Sequence, residues 1–232
     1  CLLSRGLGDV YKRQANNKIF KIAKTPYVFV LSPDTILDKN CIDILISQSS
    51  KIIRNFSIIS PFANEINYGF FSQKEKKEKK FKNIIGVDYV KGFAMLINIS
   101  KIKKIGMFDE NIFLYMEEID LCRRLKKKAE NIFLIKNAKV KHLFAKSSNI
   151  GFEFEKCRNW HWMWSSVYYK RKYTNNWSTF LEFSPNLFFS LFKIIFYFSI
   201  FQFKKSLLNY MRFSGAFNAL IGNKSWYRPD YR

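Results

Sequence analysis

Residues 15–156 of this 232-residue chain predict an α/β domain, and residues 157–232 predict a separate helical tail. Three observations carry this. Short apolar, β-rich runs alternate with segments of helical period, as in doubly wound folds. One of them, YVFVL at 27–31, is apolar at every position, which suits a strand buried on both faces of a parallel sheet. From residue 157 onward the composition becomes aromatic and basic.

The first residues stand apart. CLLSRGLGDVYKRQ at 1–14 lacks an initiating Met and shows no period. It resembles translated adapter read-through joined to an open reading frame, so it is excluded from the fold. The expectation is that the native protein begins upstream of Ala15 and that part of its domain is missing here.

Each later element has a local reason. ANNKIFKIAK places Ile19, Ile22 and Ala23 on one helical face. Pro26 interrupts, the 27–31 strand follows, and SPDT at 32–35 ends it. DKNCIDILISQSS at 38–50 predicts a helix with Asp38 as N-cap and with Ile42, Leu45 and Ile46 facing the core. FSIISP at 56–61 predicts a short strand. QKEKKEKKFK at 73–82, with six Lys and two Glu, predicts a solvated loop. IIGVDYVKGFAMLINI at 84–99 predicts two strands broken at Gly92. Ser100 caps the next short helix, and Gly106 closes it. A helix over 117–128 and strand pieces at 131–135 and 138–144 complete the domain.

In the tail, FSPNLFFSLFKIIFYFSIFQF at 183–203 is nearly all apolar. Ser184 and Pro185 suit N-cap and N1, and Lys204 and Lys205 suit the C-terminal end. A membrane crossing takes ~20 apolar residues, but basic residues flank this stretch on both sides and resist translocation. A helix lying in the cytoplasmic lipid interface fits better, with a packed core helix as the alternative. This implies a chain peripheral on the inner face of the cell membrane.

Composition narrows the partner. Forty Lys and Arg stand against 18 Asp and Glu, a formal charge of +22, so the partner is anionic: nucleic acid, lipid surface or phosphate-bearing substrate. Lys, Ile, Asn and Phe are all abundant, a bias that an AT-rich coding sequence produces by itself. The four Cys form no C-x-x-C pair, and their spacing suits neither a zinc site nor a disulfide framework.

Against that charge, MEEIDLCRR at 116–124 gathers Glu117, Glu118 and Asp120. Glu117 and Asp120 share a helical face, and Glu118 points about 100° away from Glu117. The plain explanation is electrostatic, since acids in a first turn complement the macrodipole by ~0.3–1 kcal/mol each. Arg123 and Arg124 supply pairs. Asp34 in a turn after a strand, His142 at a strand end and Gly92 at a break each have a plain structural explanation too. Their order along the chain is what draws attention.

That order resembles family 2 glycosyltransferases of the GT-A (Rossmann-like) fold, especially their rhamnosyltransferase-like members. ANNKIFKIAKTPYVFVLSPDTIL is similar to that family's helix, strand and metal-binding turn. VDYVKGFAMLINISKIKKIGMFDENIFLYMEEIDLCRR is similar to its acceptor and catalytic segment, and AKVKHLFAKSS to its closing strand. A weaker echo lies in RFSGAFNALIGNKSWYRP. The fold class this implies is α/β: an incomplete GT-A domain with a C-terminal aromatic, helical, membrane-associating segment.

The resemblance implies inverting transfer of a sugar, rhamnose by subgroup, from a nucleoside-diphosphate donor to a saccharide or lipid-linked saccharide in cell-surface polysaccharide synthesis. Asp34 and His142 would hold Mg2+ or Mn2+, although Ser32 stands where the family often has a further acid. Glu118 would be the base that deprotonates the acceptor hydroxyl, with Glu117 in reserve. Gly92, Asp120, Arg124 and Trp160 are the substrate-binding candidates. Asp120 would orient the loop or bind acceptor through Arg124. The segment holding Trp160 would lie at the mouth of the site, stacking on sugar or meeting lipid, with a packed amphipathic helix as the equal alternative. His161 is assigned a structural role. Because the family's first strand and nucleotide-binding acids have no counterpart here, this fragment is expected to be inactive alone.

Two rivals remain at this level. A basic nucleic-acid binder accounts for the charge, but no helix-turn-helix, zinc-finger or RNP-like motif is present. An inactive membrane-associated scaffold accounts for the tail.

Overall fold

The computed structural model describes residues 12–51, 56–63, 76–77, 83–143 and 151–228. The lysine-rich run at 73–82 is described only at 76–77, and Ser147 and Ser148 lie outside the described residues. The chain divides into two compact units. One comprises 1–109 and 117–149, the other 110–116 and 150–232.

The first unit is a mixed α/β layer structure. Its elements are α1 (Lys12–Ile22), β1 (Tyr27–Leu31), β2 (Thr35–Leu37), α2 (Cys41–Lys51), β3 (Ile58–Ala63), β4 (Lys76–Lys77), β5 (Ile84–Gly86), β6 (Ala94–Asn98), α3 (Ile99–Ile105), α4 (Glu117–Lys127) and β7 (Ile132–His142). The strands join one sheet in the order β1-β6-β3-β7-β5-β4, with β2 alongside β7. Only β3 and β7 pair in parallel among the described strands.

Side-chain alternation along the strands builds two cores. Ile58, Ile97, Ile132 and Leu134 pack with Phe20 of α1, Ile102 of α3 and Leu121 of α4. Ile59, Leu96, Phe133 and Ile135 pack with Cys41 and Leu45 of α2. Both faces of the sheet are therefore covered, as the apolar runs require.

The structure corrects several elements. β1 is not a central parallel strand; it pairs antiparallel with β6 and ends the strand order, and only Val30 is buried. A continuous apolar run reports burial but not partner direction. In α1 the inward residues are Asn17 and Phe20, whereas Ile19 and Ile22 are exposed. Asn17 acts as a peptide mimic: its Nδ2 donates to the Phe108 carbonyl and its Oδ1 accepts from the Phe108 N–H, both at 3.0 Å. In α2 the buried face is Cys41, Leu45, Gln48 and Ser49, and Ile42 and Ile46 face outward. That helix starts at Cys41, whose N–H is accepted by the Asp38 carbonyl.

Asn98, not Ser100, caps α3, its side chain accepting from the Lys101 N–H, because the helix starts one residue before Ser100. Gly106 closes it at φ +86°, in the left-handed region that glycine enters without strain. The two pieces expected at 131–135 and 138–144 are joined in the single strand β7, Ile132–His142, with residue 144 outside the described residues. The β3 register jumps from Pro61↔Ile135 to Phe62↔Lys139, so residues 136–138 bulge out of the ladder.

The second unit is helical: α5 (Gly151–Tyr173), α6 (Asn176–Ser199) and α7 (Phe203–Leu220). Its core is Trp160, Trp164, Val167, Ala216 and Ala219. α7 presses so closely on α5 that a Cβ on Gly215 would sit 2.2 Å from the Trp160 carbonyl oxygen. Two expectations about α6 change. Asn175 caps it, accepting from the Ser178 N–H at 2.7 Å, so Pro185 lies inside the helix and Ser184 does not cap it. Lys204 and Lys205 belong to the first turn of α7, not to the end of α6.

Candidate active site

The site is built from the turn after β1. Ser32-Pro33-Asp34-Thr35 closes as a β-turn, with the Thr35 N–H reaching the Ser32 carbonyl at 3.1 Å and Pro33 at the position where a fixed φ helps. The Ser32 N–H donates to the Phe93 carbonyl at 2.7 Å, tying this turn to the one before β6. Asp34 is buried, and its carbonyl accepts from the Leu143 N–H at 2.8 Å.

Pairing of β2 with β7 puts Thr35 opposite His142. This brings His142 Nε2 to 3.4 Å from Asp34 Oδ2. The imidazole in turn lies on the Phe93 ring, centroids 4.7 Å apart. Two groups 108 positions apart in sequence meet because β2 begins where the antiparallel β7 ends.

Phe93 follows Gly92, and Gly92 faces Glu118. A Cβ added there would lie 3.6 Å from Glu118 Cδ and 3.7 Å from its Cβ, so the carboxylate stem rests across the glycine. Burial pushes the Tyr89 hydroxyl above its ordinary pKa, and the negative charge of Glu118 adds to the effect. Burial likewise pushes Cys122, one helical turn on, up to about 12. Glu117 and Glu118 are half-buried.

The backbone entering α4 is unusual. Tyr115 and Met116 both have φ of +66°, a left-handed conformation rare in residues with a Cβ. Such outliers cost ~1–3 kcal/mol each and gather at functional sites. Sequence periodicity carries no trace of them.

The remaining predicted residues fall elsewhere. Asp120 is fully buried and its Oδ2 accepts from Arg124 Nε at 2.8 Å. The Arg124 guanidinium also donates to the carbonyls of Ile105, Gly106 and Met107. The pair therefore pins the 105–107 turn, and of the two roles considered for Asp120 the acceptor contact is the one corrected: its carboxylate has no access to solvent. Trp160 is corrected as well. It is fully buried, donates from Nε1 to Ser214 Oγ at 3.1 Å, and stacks with Trp164 and Tyr227. Of the indoles in that segment, Trp162 is the one half exposed. A two-residue difference on a helix reverses the face, which composition alone does not reveal. His161 is buried between Phe113 and Trp160, with Nε2 2.9 Å from the Tyr227 carbonyl, a structural position.

Asp34 and His142 are chemically suited to a divalent cation. Octahedral ligands ~2.1 Å from a metal stand ~3 Å apart when adjacent, close to the 3.4 Å observed between their donor atoms. Among the described residues no group of three His, Cys, Asp or Glu side chains is placed to hold a metal. A cation held by this pair would need further ligands, such as substrate phosphates and water, to complete its shell.

Comparison with known proteins places this chain's likeness among glycosyltransferases. The relatives are specific. It is 30% identical to rhamnosyltransferase WbbL of Escherichia coli (strain K12), over 52% of this chain and 44% of that protein. It is 33% identical to the low-salt glycan biosynthesis hexosyltransferase Agl10 of Haloferax volcanii, over 45% of this chain and 38% of that protein. The chain thus spans less than half the length of these curated relatives. Among solved structures, that of GalNAc-T7 with UDP, GalNAc and Mn2+ aligns at a TM-score of 0.49 and 12% identity, over 70% of this chain and 37% of that one. No protein-family profile matches the chain.

Proposed function

We propose that this chain carries the acceptor-activating and diphosphate-binding part of an inverting, metal-dependent glycosyltransferase of family 2. The donor is a nucleoside-diphosphate sugar, rhamnose being the sugar that the WbbL likeness favours, and the acceptor is a saccharide or lipid-linked saccharide of a cell-surface polysaccharide. The observation that supports this most is the short path joining the two halves of the chemistry. Glu118 rests on Gly92, and the next residue, Phe93, lies on the His142 ring that meets Asp34.

Glu118 accepts the proton of the acceptor hydroxyl as that oxygen attacks the anomeric carbon. A sugar hydroxyl is a weak nucleophile, so a positioned carboxylate contributes ~10²–10⁴-fold. Glu117 is the reserve base. A single displacement inverts the anomeric centre. Asp34 Oδ2 and His142 Nε2 would hold Mg2+ or Mn2+, which neutralises the diphosphate when bound. Arg124 and Asp120 fix the 105–107 turn rather than touch the sugar.

The 232-residue chain is expected to bind donor without turning it over, with transfer appearing in a chain extended to the length of its relatives. Binding is measured as a thermal shift with dTDP or UDP plus Mn2+. A shift that requires the metal and disappears in Asp34→Asn and His142→Ala supports the reading. A shift caused by nucleotide without metal, or tight salt-dependent binding of nucleic acid with no response to the nucleotides, refutes it.

A further inference from the structure

α6 and α7 form a helical hairpin. Its connection is residues 200–202, and Ser206 Oγ of α7 donates to the Ile194 carbonyl of α6 at 2.9 Å. One side of α6 turns inward at helical spacing through Thr179, Phe183, Leu187, Ser190 and Ile194, and Phe183 and Leu187 pack against the Trp160–Trp164 core. The other side is apolar and uncovered: Phe188 is 71% exposed, Phe192 62% and Ile195 69%. The bare surface continues over the apex through Phe198, Ile200, Phe201 and Phe203.

Two features of the apex bear on what it faces, beyond the ring contacts of Phe201 with Phe203, Lys204 with Phe152 and Lys205 with Tyr197. Phe201 is 80% exposed and adopts φ +58°, a left-handed conformation unfavourable for a bulky residue. The tight turn thus holds an aromatic ring in water. Lys204 and Lys205 occupy the first turn of α7, which contains no acid, where the helix dipole disfavours cations. Lys193 folds back over the Phe189 ring at 4.2 Å, an ammonium sitting at the border of the apolar side.

We infer that the α6–α7 hairpin is a membrane anchor that lies in the interface of an anionic bilayer, with the aromatic apex in the acyl boundary and Lys193, Lys204 and Lys205 on lipid phosphates. Each oddity becomes favourable there: exposed rings leave water, and misplaced cations gain anions. Other occupants fit less well. A second copy of a +22 chain brings like charges together. α6 is long and apolar enough to cross a membrane, but a crossing would carry Lys193 into hydrocarbon and strip away the hydrogen bond and packing that α7 supplies. Anionic lipid is a feature of the cytoplasmic leaflet, which sets the chain peripherally on the inner face. The anchor does not depend on the transfer chemistry.

The test uses the purified 232-residue chain and vesicles of phosphatidylcholine, alone or mixed with phosphatidylglycerol. Co-sedimentation is expected with the mixed vesicles and should weaken as salt rises. Phe201→Glu combined with Phe203→Glu should lower the partition coefficient by about 100-fold, roughly tenfold for each ring removed from the acyl boundary. Lys204→Ala with Lys205→Ala should lower it ~10–30-fold on mixed vesicles only. Unchanged thermal unfolding of both variants shows that the loss lies in the surface, not in folding. Equal binding to the neutral vesicles, or undiminished binding by the Phe201/Phe203 variant, overturns the inference. So does a dimer in light scattering that the same variant dissociates.

Discussion

The first turns of α4 and α7 carry opposite charge, and only one agrees with its helix. α4 opens with Glu117, Glu118 and Asp120 and closes with Arg124, Lys126 and Lys127, so every charge complements the dipole. α7 opens with Lys204 and Lys205 and has no basic residue in its last turn. The lesson is that a charge pattern consistent with its own helix is weak evidence of function, because the fold already explains it. For α4, the functional argument has to rest on where the side chains go: Asp120 into the interior, Glu118 across Gly92. For α7 the pattern is itself the evidence, since the helix alone gives no reason for it.

The sharpest way to break this comparison is Glu118→Gln in a chain extended to the length of its relatives. Transfer should fall ~10²–10⁴-fold with nucleotide binding retained. If the rate is unchanged, the acids of α4 are dipole partners and nothing more.

Next come two substitutions of equal size in different units. Asp120→Ala leaves the Arg124 charge without its carboxylate in a mostly buried position, at a cost of ~3–5 kcal/mol. Trp160→Ala opens a cavity in the helical core, also ~3–5 kcal/mol. Denaturant unfolding gives the totals, and hydrogen exchange should localise the first loss to the sheet unit and the second to residues 151–228. Sensitivity of Trp160 in sugar binding without loss of stability would restore it as a contact residue.

Cys122 supplies a pH test in the α/β unit. Burial pushes its thiol up to about 12, from an ordinary 9.0. Because the folded value is the higher one, its contribution to stability is complete below pH 9 and is lost as pH rises toward 12. At pH 8 it should resist iodoacetamide until denaturant opens the fold, and mass spectrometry reads the adduct.

The smallest effect is at Glu130. Burial pushes its carboxyl up, but hydrogen bonds from Lys101 and Ser57 outweigh this and hold it below its ordinary 4.5. Its contribution is therefore present above pH 4.5 and is lost as pH falls below it. Glu130→Gln should cost about 1 kcal/mol or less at pH 7, as for a partly exposed pair, and the difference from the parent should vanish in acid.

The sequence by itself determined the alternation of strands and helices, the left-handed Gly106 stop, the position of the acid cluster on α4 and the family likeness. All of these depend on neighbours a few residues apart or on residue order. It did not determine which side of α1 and α2 faces inward, because Asn17 and Gln48 are buried while Ile19, Ile22, Ile42 and Ile46 are not, and burial depends on what each helix packs against. The family likeness implied that Asp34 and His142 act together, but the sequence did not determine the strand pairing that joins them, that Phe93 lies on His142 beside the Gly92–Glu118 contact, or that Trp160 is core. Those depend on strand register and helix packing between segments far apart in the chain, and only the folded arrangement of backbone hydrogen bonds and side-chain volumes decides them.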